Sequence, residues 1–580
     1  MGGGMRPHFV RALLPLVVAV LTAVCFLPVV SGSFLNWDDD VNFRHNLAYR
    51  GLGWAQIRWA FTSVLFGHYV PLTRLTFSLN YVLGGMHPWG YHLLNVLLHA
   101  VNAALFYLVA RRLLAAAVGA GREGQGHVDL EASAALAALV FGVHPLRVEP
   151  VAWVTGRADL LSTTFVLLST LAYLRAVDGG ATARRRLMLV CTAGFAAAFL
   201  SKASALPFPL ALLLLDVYPL RRLRRLGGRS LVREKTPLLV VAGIAAVIVA
   251  YVTPRGVVLA EYDVVARLTI AAYSFVISAA RFVLPAGLLP IYEMPYRVTP
   301  LEPRFGLAVA AAVLITAVLI LLRRRCPGAL AAWTFSVLML VPTAAAVRKT
   351  TDLAPDRYSY LAGLGFALLV GNAVAGGLRL VRRGVLARPM AWVMAGGCVA
   401  AVAGLGFMSW TYAEMWTEPG PLWRWAIELD PSCAVCHNKL GEIVLGDPVQ
   451  PARAPEAEAL FRRAIALRPD QPTPHFNLGM ALIAQGRWAE AESPLRSYIE
   501  RNPRSATGHA RLGFTYLMRH RFDAAIPELR TALARQPDMP ELRGLLIEAL
   551  EGRARELQAA GLAADAEPLL SESGALRASR

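Results

Sequence analysis

Charge is scarce in this chain. Only 17% of its residues are Asp, Glu, Lys or Arg, against about 25% in a typical soluble domain. That shortage excludes an ordinary water-facing surface over most of the molecule. With 56% hydrophobic residues, the chain points to a bilayer as its main solvent. Carboxylates are scarcer still, 39 against 58 Lys and Arg, which leaves a net charge of +19. A basic balance can mark nucleic-acid binding. Here the arginines instead sit in short clusters beside apolar runs, at 111–112, 184–186, 221–225, 323–325 and 382–383. That is how cytoplasmic loops look under the positive-inside rule, so no nucleic-acid partner is expected. Cysteine is also rare. Six residues do not make a disulfide framework. Cys25, Cys191, Cys326 and Cys398 lie in or beside apolar runs and are expected to be unpaired.

Long apolar runs are abundant. A transmembrane helix needs about 20 mostly apolar residues. Twelve stretches approach that length: Leu13–Val30, Tyr91–Ala110, Ala132–Leu146, Val151–Leu174, Leu187–Leu200, Ala205–Leu220, Leu238–Val252, Leu268–Leu284, Phe305–Leu322, Leu330–Val347, Tyr358–Leu378 and Met390–Trp410. The first follows Arg6 and Arg11, as the core of a signal peptide would. More apolar runs follow it, so it is read as an uncleaved span. The same arginines place the N-terminus inside and make 31–90 the first outer loop. Twelve crossings would put Arg323–Arg325 and Arg379–Arg388 outside. Laying Leu268–Leu284, flanked by Arg267 and Arg281, at the interface restores the alternation. Eleven spans are therefore expected, with everything after Trp410 on the outer face.

The tail is periodic. Leu478-Gly479 and Leu512-Gly513 are 34 residues apart, and Leu440-Gly441 lies 38 before the first of them. The extra four residues fit an insertion around Asp447–Pro455. Ala457, Phe461, Ala464 and Pro469 continue the first unit; Leu482, Ala491, Leu495 and Pro503 the second; Tyr516, Ala525, Leu529, Ala532 and Pro537 the third. This pattern, over about Trp423–Leu550, resembles the tetratricopeptide repeat. Stacked repeats of that kind offer a concave surface to a protein or peptide. Cys433-Ala-Val-Cys436-His437 has the form of a c-type haem attachment site. The five residues fall in a repeat helix, and His475 and His509 share the register of His437. Plain helix packing is preferred to haem, zinc or a local disulfide.

Polar groups near a bilayer are costly and default to a functional reading. After the first span comes Asn36-Trp37-Asp38-Asp39-Asp40. Neighbouring carboxylates repel, which lifts one of them toward neutrality and suits it to act as a base on a hydroxyl. Carboxylates also bind divalent cations, and an Asp-rich solvated turn is the plain alternative. Arg74 follows His68-Tyr69-Val70-Pro71. His92, Asn95 and His99 share one helix face, either a substrate path or simple interhelical bonding. His144-Pro145-Leu146-Arg147-Val148-Glu149 leads to Gly156-Arg157-Ala158-Asp159. Leu200-Ser201-Lys202 and Asp352-Leu-Ala-Pro-Asp356-Arg357-Tyr358 complete the set. Arg and Lys at an outer boundary can hold a phosphate or merely snorkel.

The order of these motifs, followed by the repeats, resembles the TMTC-type proteins. That family joins a membrane GT-C glycosyltransferase module to tetratricopeptide repeats. The resemblance implies an all-α fold: a transmembrane GT-C-like domain over 1–415, repeats over 416–552 and a terminal helix or tail over 553–580. It implies inverting sugar transfer from a polyprenyl- or dolichyl-phosphate donor to a protein hydroxyl, O-mannosylation in the family pattern. An acidic residue of the first outer loop serves such enzymes as base, which maps to Asp38 or Asp39, with a divalent cation there as an open option. Outer basic residues hold the lipid phosphate, which makes Arg157, Lys202 and Arg357 candidates. Arg74, His92, His144, Glu149, Asp159 and Asp356 are further substrate-site candidates. The sequence departs from the family at Ala203, where Glu often follows the Leu-Ser-Lys lysine, and at Asp356, where Glu often precedes the Arg. The expected setting is a bacterial inner membrane, with the repeats outside recruiting the acceptor. A non-catalytic envelope scaffold and a transferase acting on glycolipid or cell-wall polymer are the competing readings.

Overall fold

The computed structural model describes residues 7–65, 67–118, 127–252, 262–343, 352–446 and 453–578. The regular elements among them are helices, and the only β pairing is two isolated bridges, Leu65 with His68 and Glu293 with Asp352. The fold is all-α. It divides into two compact units, Met1–Glu418 and Pro419–Arg580. The Asp447–Pro455 insertion falls largely on 447–452, outside the described residues, as do Arg6 and the end of the Leu330–Val347 stretch.

Each of the apolar stretches coincides with a helix. Among the described residues, six are long and apolar enough to cross a bilayer unbroken: Pro88–Ala117, Val154–Asp178, Val264–Val283, Pro303–Leu321, Asp356–Arg382 and Pro389–Met415. Two helix pairs reach the same length and apolarity only when taken together across a bend, as a broken span or a re-entrant loop: Asp129–Gly142 with Pro145–Ala152 at 57° and Gly228–Glu234 with Thr236–Val252 at 64°. The breaks have a covalent cause. Pro145 and Pro237 lack the amide N–H that would continue the preceding helix. Leu13–Cys25, Ala203–Val217 and Pro327–Leu340 are shorter apolar helices. The chain is a multi-pass membrane protein.

The stretch Leu268–Leu284, assigned to the interface on charge grounds, falls in an unbroken 20-residue helix, Val264–Val283, which Leu284 caps. Such a helix is about 30 Å long, the thickness of the hydrocarbon core. Length and composition therefore allow it to cross. The outermost helices bury little of themselves: Leu307 and Leu321 on one, Val393 and Phe407 on another, are exposed. Apolar faces of that extent are what lipid tails cover.

Away from the first loop, a closed ion-pair cluster ties three elements together. Asp216, fully buried, accepts from Tyr173 Oη at 2.5 Å, from Arg222 at 2.8 Å and from the equally buried Lys235. Arg222 also binds Glu234 at 2.6 Å. Two cations face two carboxylates, so the burial is compensated. Lys235 stands at the bend between Gly228–Glu234 and Thr236–Val252.

In the second unit, three helix pairs follow one another: Ala434–Leu445 with Ala454–Leu467, Pro472–Ala484 with Trp488–Arg501, and Ala506–Leu517 with Phe522–Arg535. The repeating glycines have a steric reason. A Cβ on Gly441, Gly479 or Gly513 would stand 2.6–2.7 Å from Phe461, Leu495 and Leu529 respectively, closer than carbon atoms can approach. The histidines recur for a second reason. Nε2 of His437, His475 and His509 each bonds a proline carbonyl six residues earlier, Pro431, Pro469 and Pro503, at 3.2, 3.0 and 3.3 Å. Each such bond closes the turn that enters a repeat. The packing reading of His437 therefore has a partner atom. The cysteines differ from expectation: Cys433 and Cys436 form a disulfide, both 1% exposed. Cys433 caps its helix by accepting the Cys436 N–H at 3.1 Å. That cap brings the two sulfurs together, which spacing alone left undecided.

Candidate functional site

After the Pro7–Cys25 helix the chain makes a 3-10 turn, Leu27–Ser31, and enters the acidic run. Asp39 points inward and is fully buried. Its carboxylate accepts from Leu35 N at 3.1 Å and from Thr155 Oγ1 at 2.7 Å. Asn42 donates to the same Thr155 hydroxyl at 3.0 Å. These bonds fasten the first loop to the Val154–Gly156 turn. Burial raises the Asp39 pKa from 3.8 to about 7, while its two hydrogen bonds oppose the rise. The expected repulsion from Asp38 acts in the same direction but is not the main cause.

Asp38, one residue earlier, lines a cavity of about 710 Å³. Three cations share that lining: Arg74, Lys202 and Arg357, with Asp159 beside them. Lys202 Nζ meets Asp159 Oδ2 at 2.5 Å. Arg357 pairs with Glu149 and lies 3.4 Å from Asp352. Glu149 also accepts the Arg357 backbone N–H at 2.8 Å, so one buried carboxylate fixes both ends of the residue. Arg357 is flanked by rings: its guanidinium is 5.2 Å from the centroid of Trp153 and 5.1 Å from that of Tyr358. Trp153 stacks on Trp37 at 4.9 Å. Burial raises the pKa of Asp352 to about 7, against the pull of Arg357.

The cavity has two kinds of wall. Asn42, Asn46, Tyr49, Trp59, His68 and Arg74 come from the first loop and the Pro71–Gly84 helix. Leu206, Leu210, Ala246, Val249, Leu338 and Val341 come from apolar helices or their ends. An apolar groove of about 240 Å³ shares Val341 and Tyr358 with the cavity and continues between the Val264–Val283, Pro303–Leu321 and Pro327–Leu340 helices.

Other residues singled out from sequence lie behind this lining. Arg157 is fully buried and occupied: it donates to Asn95 at 2.8 Å, Asn80 at 2.5 Å, Thr76 at 3.3 Å and the Tyr91 carbonyl at 2.8 Å. It is a packing hub between helices rather than part of the lining. His92 bonds the Ser33 carbonyl at 3.3 Å. Asn95 and His99 make interhelical bonds, His99 to Tyr360 at 2.7 Å and to the Gly142 carbonyl at 2.8 Å. His144 stacks on Phe282 and bonds its carbonyl at 2.9 Å. Asp356 accepts from Arg281 at 3.2 Å and from Tyr292 at 3.2 Å.

Sequence reading missed Thr155, Trp153 and Tyr292 as parts of this assembly, and treated Arg281 only as a flank. Each makes its contact with a residue far away in the chain, and no local spacing signals such a contact. Among the described residues, no three His, Cys, Asp or Glu side chains come together as metal ligands. Asp39 spends its oxygens on Leu35 and Thr155, so the pair does not present two carboxylates to the cavity.

Comparison with known proteins adds sequence evidence. A tetratricopeptide repeat model matches residues 450–512. Protein O-mannosyl-transferase TMTC4 of Mus musculus is 38% identical over 182 residues, 29% of this chain and 24% of that protein. Protein O-mannosyl-transferase Tmtc1 of Drosophila melanogaster is 44% identical over 109 residues, 19% of this chain and 11% of that protein. The chain is similar to TMTC-type proteins over part of its length. The matched stretches span a quarter or less of those relatives. A crystal structure of ArnT from Cupriavidus metallidurans bound to undecaprenyl phosphate aligns over 94% of this chain and 88% of its own, at 16% identity and a TM-score of 0.34, too low to establish a shared fold.

Proposed function

We propose that this protein is a membrane glycosyltransferase that moves a sugar, mannose in the TMTC pattern, from a polyprenyl- or dolichyl-phosphate donor to a hydroxyl on a protein. The observation that carries the reading is the cavity that gathers Asp38, Lys202 and Arg357 from three distant parts of the sequence. Asp38 accepts the proton of the attacking hydroxyl. The hydroxyl oxygen bonds the anomeric carbon from the face opposite the phosphate, the carbon–oxygen bond to phosphate breaks, and configuration inverts. The departing phosphate takes up the negative charge beside Lys202 and Arg357, where fixed cations stabilise it most. Trp153 and Tyr358 supply aromatic faces for a sugar ring. The groove past Val341 and Tyr358 has the apolar lining that a polyprenyl chain needs.

Asp39 positions rather than reacts, because it holds the loop to Thr155. The resemblance to the named O-mannosyl-transferases supports the sugar and the acceptor class. The Cys433–Cys436 disulfide supports an outer location for the repeats, since disulfides persist in oxidising compartments. On that side the repeats serve to recruit the acceptor protein.

The test is transfer by purified protein from a panel of polyprenyl-phosphate sugars. Asp38→Asn should lower kcat by about 100-fold or more while membrane insertion and melting stay unchanged. Full activity in that variant would remove Asp38 as base. Transfer to glycolipid but to no protein or peptide would reassign the acceptor.

A further inference from the structure

The three cations lining the cavity differ in one respect. Lys202 is matched by Asp159, and Arg357 by Glu149 and Asp352. Arg74, only 4% exposed, has no carboxylate partner among the described residues. Its guanidinium donates to neutral oxygens: the Ser63 carbonyl at 2.6 Å, Ser63 Oγ at 2.7 Å, the His68 carbonyl at 3.2 Å and the Ala60 carbonyl at 3.4 Å. Its centre lies 5.2 Å from the Trp59 ring centroid. Burial lowers the Arg74 pKa to about 10, still far above neutrality, so the group stays charged. A buried charge without an opposite charge is expensive. The carbonyls orient this cation but do not neutralise it.

The location of Arg74 says which part of the reaction it serves. Its neighbours in the lining, Asn46, Trp59, His68 and Thr73, belong to the outer loop and the start of the Pro71–Gly84 helix. The apolar wall and the groove that suit a lipid chain are built from other helices. Arg50 of the same loop is also held by carbonyls, those of Phe43 at 3.3 Å and Arg44 at 3.0 Å. Of these two arginines only Arg74 lines the cavity, and it brings the loop wall a positive charge without a carboxylate in contact with it. We infer that Arg74 binds an anionic side group of the acceptor, and that the protein selects hydroxyl-bearing peptides with a carboxylate next to the attacking residue. This rests on the transferase reading above and deepens it.

The experiment compares matched peptides with full-length purified protein at fixed donor. Each pair carries the same Ser or Thr, flanked by Asp and Glu in one peptide and by Asn and Gln in the other. Wild type should favour the acidic peptide by about tenfold or more in kcat/KM, the worth of one charge-assisted contact. Arg74→Gln should abolish that preference through acceptor KM and leave donor KM unchanged. Arg74→Lys should restore part of it. Equal use of the two peptides by wild type overturns the inference, and needs no variant to fold. So does an Arg74→Gln protein whose donor KM rises equally with both peptides, because the anion would then be the donor phosphate. Absence of transfer to any acceptor would instead sink the transferase reading itself.

Discussion

Asp38 and Asp39 are neighbours with opposite surroundings. One lines the cavity, and the other is sealed between Leu35 and Thr155. The pKa of Asp39 is raised from 3.8 to about 7, so between those values the folded protein holds a proton that the unfolded chain has lost. The stabilisation this gives is fully present below the ordinary carboxylate pKa and is lost as pH rises through about 7. Melting temperature should therefore fall between about pH 4 and 7, and Asp39→Asn should flatten that part of the curve. An unchanged slope in the variant would show that another group is responsible. Asp352 is raised in the same sense and adds to the slope, so flattening by Asp39→Asn alone should be partial.

Helices in this molecule meet where one of them lacks a side chain or carries a matched charge. In the Ser359–Arg382 helix, Gly363 lies directly under the guanidinium of Arg147, so any added carbon collides with it. Gly363→Ala should cost about 1–3 kcal/mol through overpacking, read as a lower melting temperature. In the repeats, Gly513→Val meets Leu529 in the same way and should lower the stability of the second unit by a similar amount, about 1–3 kcal/mol. The bend at Lys235 is held by charge. Lys235→Met would leave Asp216 with one cation fewer, and breaking such a buried pair costs about 3–5 kcal/mol. Because Ala246 and Val249 of the adjoining Thr236–Val252 helix line the cavity, that variant should also lose activity. Detergent-solubilised melting and transfer rate measure both effects.

At the scale of the whole molecule the testable property is the side of the membrane that each unit occupies. The proposed reaction needs the first loop and the repeats on the same side. In intact cells, a membrane-impermeant thiol reagent should label Cys433 and Cys436 only after an impermeant reductant has opened the disulfide. Both residues are buried, which makes a mild denaturing step necessary. Labelling of Cys433 and Cys436 themselves solely after cell lysis, with no reductant, in a protein whose other four cysteines are replaced by serine, would place the repeats inside and separate them from the cavity.

The sequence by itself determined the class of this protein. Apolar runs near bilayer length, arginine clusters and a 34-residue period are local patterns, and each is set by the solvent or by the next turn of helix. It also offered as candidates Asp38, Arg74, Asp159, Lys202 and Arg357, which line one cavity, since charge beside apolar sequence stands out. It could not separate Asp38 from Asp39, nor Arg157 from Lys202. Those distinctions depend on which side chain is answered by a partner far along the chain: Thr155 for Asp39, Asn80 and Asn95 for Arg157, Glu149 for Arg357. The Cys433–Cys436 bond was likewise invisible in spacing that also fits haem. Tertiary packing decided these points, because burial and pairing are properties of neighbours in space, and a sequence lists only neighbours in the chain.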